Sequence, residues 1–126
     1  MIAQRVDLSQ NGKITIKRTV GPKAGVEVKF NLKTERDKKG RQKRSVYRLK
    51  EGRWTKFGQI VDGQIKLSRT KLRDKPSKLY REILNDPTRF SGFEYRHKAH
   101  CMRCNRELTD QMSIWRGYGP ECKKYL

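Results

Sequence analysis

The alternation of apolar and polar positions is strictest over residues 26–33, where Val26, Val28, Phe30 and Leu32 interleave with Glu27, Lys29 and Asn31. A two-residue period of this kind predicts a strand with one buried and one wetted face. Residues 13–20 repeat it, with Ile14, Ile16 and Val20 set against Lys and Arg, and Gly21-Pro22 ends the run. Strand patterns return over 45–50 and 54–61. Asp62-Gly63 then predicts a two-residue hairpin turn into 64–67, bringing Ile60 opposite Ile65. Residues 34–44 contain no apolar side chain. They read as a solvated hairpin loop centred on Gly40, or as a basic arm that orders on a phosphate backbone. The result is a small antiparallel sheet of four or five strands.

A helical period appears once, over residues 76–86. Leu79, Tyr80, Ile83 and Leu84 form one apolar stripe, Ser77 is the expected N-cap, and Pro87 forbids continuation. The stripe should pack across the open face of the sheet. The expected fold class is therefore α+β: a small antiparallel sheet packed by one helix, within a basic β-rich domain over 1–92. Residues 88–95 read as the join to a second unit, 93–126.

That second unit holds every His and Cys of the chain: His97, His100, Cys101, Cys104 and Cys122. Cys101 and Cys104 form a C-x2-C knuckle, and Gly117-Tyr118-Gly119-Pro120 leads into Cys122 at a predicted helix start. Zn²⁺ favours four N or S ligands in a tetrahedron, commonly three thiolates and one imidazole. The expected ligands are Cys101, Cys104, Cys122 and one histidine. His97, four residues before the knuckle, folds over it more readily than His100, whose side chain should point away from that of the adjacent Cys101. Knuckle, hairpin and helix-borne ligand predict a treble-clef-like zinc finger. Its closed coordination makes the metal structural. A thioredoxin-like redox pair lacks its βαβ setting, and an iron–sulfur cluster lacks its fourth cysteine.

These residues resemble a family of uncharacterised phage and prophage proteins with a short C-terminal zinc-binding domain. The shared pattern is H-x3-C-x2-C-x-R-x-L-T-x3-S-I-x2-G-x-G-P-x-C. It is matched here by His97, Cys101, Cys104, Arg106, Leu108, Thr109, Ser113, Ile114, Gly117, Gly119, Pro120 and Cys122. The resemblance implies a viral origin and supports His97 as the fourth ligand. It implies no activity.

Charge then narrows the partner. Lys and Arg number 32 against 13 Asp and Glu, a formal net charge of +19 on 126 residues. Such an excess seeks a polyanion. Residues 33–56 concentrate it, and the expected phosphate contacts are Lys38, Lys39, Arg41, Lys43, Arg44, Arg48 and Arg53, joined by Arg103 and Arg106 on the knuckle. Tyr47, Trp54 and Phe57 are interleaved as candidate base-stacking rings or as core. The expected function is a basic viral nucleic-acid-binding protein that reads backbone more than bases. The alternative is a viral effector that binds and modulates a host or viral protein complex, such as transcription, ribosomal or defence machinery, docking on acidic protein or on nucleic acid held there. Carboxylates are scattered, with none paired near a histidine, so an enzyme is not expected. With no apolar run of membrane length, no apolar N-terminal leader and an odd cysteine count, the expected setting is the cytoplasm, that of the host if the protein is viral.

Overall fold

The computed structural model describes residues 8–101, 106–109, 112 and 114. Its body is one antiparallel sheet built from β1 (Asn11–Arg18), β2 (Glu27–Arg36), β3 (Gln42–Lys50), β4 (Arg53–Val61), β5 (Gln64–Leu67) and β6 (Phe93–His100). The strand order is β5-β4-β3-β2-β1-β6, and the sheet curls into a half-barrel. Helix α1 (Lys75–Asn85) lies against one face.

The strands form where the sequence alternates. Ile14 and Ile16 of β1 pair with Phe30 and Val28 of β2, Leu32 pairs with Val46 of β3, and all six are buried. From α1, Ile83 and Leu84 are buried against them, with Leu79 and Tyr80 at the margin. Phe30 is the hub: its ring meets Phe57 edge-on at 4.9 Å and Tyr80 at 5.9 Å. Such aromatic contacts add about 0.5–1.5 kcal/mol beyond burial. Asp62 and Gly63 adopt φ of 53° and 77°, the left-handed pair a two-residue hairpin needs, and Ile60 faces Ile65 as expected.

Two local expectations are revised. The N-cap of α1 is Asp74, whose carboxylate accepts from the backbone N–H of Ser77 at 3.0 Å, while Ser77 itself is buried in the first turn. Residues 34–44 are mostly strand: β2 runs to Arg36, β3 begins at Gln42, and only 37–41 turn. Polar contacts replace apolar burial there. Buried Asn11 donates to Thr34 Oγ1 at 2.9 Å and accepts from Arg44 Nε at 2.9 Å, clamping three strands. Asp37 accepts from the N–H groups of Lys39 and Arg41, both at 2.9 Å, so the tip is a closed turn and not a loose arm.

The fold class needs a larger correction. The protein is dominated by a six-stranded sheet, and among the described residues no treble-clef-like zinc finger is found. The segment read as a join begins the sixth strand: Phe93–His100 pairs with all of β1, from Arg18↔Phe93 to Asn11↔His100. The physical reason is legible in hindsight. Phe93, Tyr95, His97 and Ala99 alternate with Glu94, Arg96 and Lys98, a strand period that the histidines, read as ligands, obscured. Gly12 permits the close pairing: at φ 139°, any Cβ would lie 1.9 Å from the carbonyl oxygen of Lys98.

Candidate nucleic-acid interface

With α1 on one face, the opposite face of the sheet is left open among the described residues. Period-2 alternation sends the polar half of every strand there, and the register sorts those side chains into rows across the strands. In one row Lys98 pairs with Lys13, Lys13 with Asn31, Asn31 with Tyr47 and Tyr47 with Lys56. In the next, Arg96 pairs with Thr15 and Thr15 with Lys29, and Leu49 pairs with Trp54 at the far side. A third row is mixed, Lys17 lying between Glu94 and Glu27. All of these except Asn31, Tyr47 and Lys56 line a groove of about 540 Å³.

The charges in the groove are poorly compensated. Like charges directly opposite destabilise a sheet, yet Lys13 faces Lys98. Ion pairs among the described residues are Lys56–Glu35 at 3.2 Å and Arg81–Glu82 at 3.8 Å, and neither neutralises Lys13, Lys98 or Arg96.

Glu35 organises the rim. Its carboxylate accepts from Ser45 Oγ at 2.6 Å, from Tyr47 Oη at 2.8 Å and from Lys56 Nζ at 3.2 Å. Burial alone would raise the Glu35 pKa, but these three donors and the Lys56 charge together outweigh it and hold the carboxyl at about 2. The same contact works in reverse on Tyr47, where burial first and the Glu35 carboxylate second push the phenol up to about 12. Ser45 and Lys56 stand 2.8 Å apart, which invites comparison with a nucleophile and its base. Ser45 is fully buried and Lys56 is ion-paired as an ammonium, so the cluster is a clamp.

The three candidate rings separate cleanly. Phe57 is core, with no exposure. Tyr47 is bonded to Glu35 and has the Lys33 and Lys56 ammonium groups 4.8 and 5.3 Å from its ring centre. Trp54 is 39% exposed in the groove.

The expected phosphate contacts scatter. Lys38, Lys39 and Arg41 project from the β2–β3 turn, and Arg53 from the start of β4, all exposed. Lys43 lies half-buried opposite Glu35 on β3. Arg44 and Arg48 belong to the other face: Arg44 bonds Asn11, and the Arg48 guanidinium sits 5.5 Å from the Tyr80 ring of α1. Arg106 is exposed, and Arg103 lies outside the described residues. Reading the chain linearly missed Lys13, Lys29, Arg96 and Lys98. Their signal was present as the polar half of each alternating strand, but the register that joins them was not.

Of the expected zinc ligands, Cys104 and Cys122 lie outside the described residues. Cys101 is fully buried beside Ala99 and Leu108. A short antiparallel return follows it: the N–H of Cys101 donates to the carbonyl of Arg106 and that of Leu108 to Ala99, both at 2.8 Å. Residues 106–108 thus run back beside 99–101. His97 sits within β6 opposite Ile14, and His100, next to Cys101, bridges to Glu107. Among the described residues no group of three or more His, Cys, Asp or Glu gathers as a metal site. No described helix is long and apolar enough to cross a membrane.

Comparison with known proteins reaches only the C-terminal part. Residues 93–126 match DUF6011, a family of unknown function, and the match begins at the first residue of β6. No curated protein and no solved structure matches the chain.

Proposed function

We propose that this is a small basic nucleic-acid-binding protein, viral by its C-terminal resemblance, that contacts phosphate backbone with little sequence preference. The observation that carries it is the sheet face opposite α1, where cations from β6, β1 and β2 line up across the strands with no ion pair to neutralise them among the described residues. Packing leaves those side chains no internal role. Multiple Lys and Arg contacts to phosphate give affinity that falls with salt at a log–log slope of several units. Titrating a labelled oligonucleotide with the full chain over a range of salt measures that slope. No binding at low salt, or an affinity indifferent to salt, removes the reading. A nuclease-resistant stoichiometric complex with a protein would favour docking on a protein assembly instead.

A structural zinc ion held by Cys101, Cys104 and Cys122 belongs to the same proposal. Support comes from the burial of Cys101 and from the antiparallel return of 106–108 beside it. For the fourth ligand, reach along the strand outweighs the alternation that turns adjacent side chains apart, and favours His100. An extended β6 separates the Cα atoms of His97 and Cys101 by about 13 Å, longer than a thiolate and an imidazole bonding one ion at about 2.0–2.3 Å can bridge. Metal analysis of the purified chain should give about one zinc per chain. His100→Ala should release it and His97→Ala should retain it; the opposite pattern restores His97.

A further inference from the structure

We infer that the groove on the helix-free face is a site for single-stranded nucleic acid, laid across the β-strands, with Trp54 as its stacking platform. This rests on the nucleic-acid reading above and names the form of the ligand.

The path follows from the rows. Two of them, running from Lys98 and Arg96 at one side of the sheet to Lys56 and Trp54 at the other, contain cations, neutral polar groups and Leu49 but no carboxylate. The next row places Glu94 and Glu27 on either side of Lys17. Beyond the other margin the Glu35 carboxylate is already taken up by Lys56, Tyr47 and Ser45. A phosphate backbone is attracted along the first two rows and repelled at the border that Glu94 and Glu27 form. The favoured track is therefore perpendicular to the strands and spans β6, β1, β2, β3 and β4. Four inter-strand steps of about 4.8 Å make it about 19 Å long, which suits a run at the short end of the roughly 4–16 nucleotides a single module holds.

Single strands are selected by what stands at the end of the track. Trp54 is exposed and paired with Leu49, so a ring and an aliphatic side chain form one apolar spot beside the cations. Only an unstacked base can use it. A duplex keeps its bases stacked inside, and its major groove admits a projecting helix or two-stranded ribbon, whereas this face offers the middle of a sheet. Tyr47 and Phe57 cannot substitute, because the first is bonded to Glu35 between two ammonium groups and the second is buried.

The test compares labelled oligo-dT, oligo-U and a duplex of equal length, bound by the full chain, with thermal melting as a check on folding. Both single strands should bind on the order of tenfold tighter than the duplex, and their ratio shows which sugar is preferred. Trp54→Ala should weaken single-strand binding about tenfold and leave duplex binding unchanged, while Trp54→Phe keeps most of the affinity. Arg96→Glu together with Lys98→Glu should lower affinity and flatten the salt dependence. Lys78→Glu, exposed on α1, should do neither beyond a small charge effect. Equal affinity for single strand and duplex, unmoved by Trp54→Ala or by the groove charge reversals, overturns the inference while nucleic-acid binding stands. Failure of every nucleic acid to bind removes both.

Discussion

One sheet presents two faces of the same strands, and they are built by opposite rules. Toward α1, neighbours across strands are Ile14–Phe30, Ile16–Val28 and Leu32–Val46, pairs that gain by excluding water. Toward solvent, neighbours are Lys13–Lys98 and Arg96–Thr15–Lys29, pairs that gain nothing from each other. The first face explains why the chain folds. The second is tolerated because exposed charges repel weakly through water, and that residual repulsion is what an anionic ligand would relieve. Stability and the proposed binding would thereby be separated by the parity of residue position.

That separation can be broken from the buried side first. Phe30→Ala removes the ring at the hub of the core and should destabilise by about 3–5 kcal/mol in denaturant unfolding, while the protein that remains folded binds nucleic acid normally. A parallel loss of affinity per folded molecule would show that the faces are coupled. The seam between β1 and β6 comes next. Gly12→Ala places a methyl carbon against the Lys98 carbonyl, so the strands must part locally, at a cost of about 2–3 kcal/mol. Hydrogen exchange should show lost protection in β6 and at the paired N–H groups of Cys101 and Leu108 before any in α1.

The smallest expected effect sharpens the comparison at the rim. Because the folded Glu35 carboxyl sits at about 2 against an ordinary 4.5, its stabilisation is complete above pH 4.5 and is lost as pH falls towards 2. With its side chain 25% exposed, solvent screening leaves about 1–2 kcal/mol of that linkage. Glu35→Gln should therefore be less stable than the parent at pH 7, and the two unfolding free energies should converge between pH 4.5 and 2. Curves that stay parallel through that range would show that Glu35 is not the linked group.

Much of the core face was readable in advance because burial imposes a period. Val28, Phe30 and Leu32, the Asp62-Gly63 turn, and the stripe of Leu79, Tyr80, Ile83 and Leu84 all occupy their expected places. Two stretches misled for a common reason: polar chemistry drew attention from geometry. Residues 34–44 lack apolar side chains, yet Asn11, Thr34, Arg44 and the Glu35 cluster carry the hairpin by hydrogen bonds. His97 and His100 read as metal ligands while the segment that holds them was already alternating as a strand. Of the proposed site, only the cationic character was legible. Charge pointed to a polyanion, but the expected contacts followed the density of Lys and Arg along the chain, and Arg44 and Arg48 prove to face the helix side.

The chain alone determined which segments are strands and helix, where most of them turn, and that its surface would be strongly cationic, because local sterics, periodic burial and net charge are properties of short windows or of simple sums. Tertiary structure decided which cations share a row, which of three rings remains open, and that Phe93–His100 joins the sheet beside β1. Those outcomes depend on strand order and register, and register brings Lys13 beside Lys98 through hydrogen bonds between segments that no local window contains.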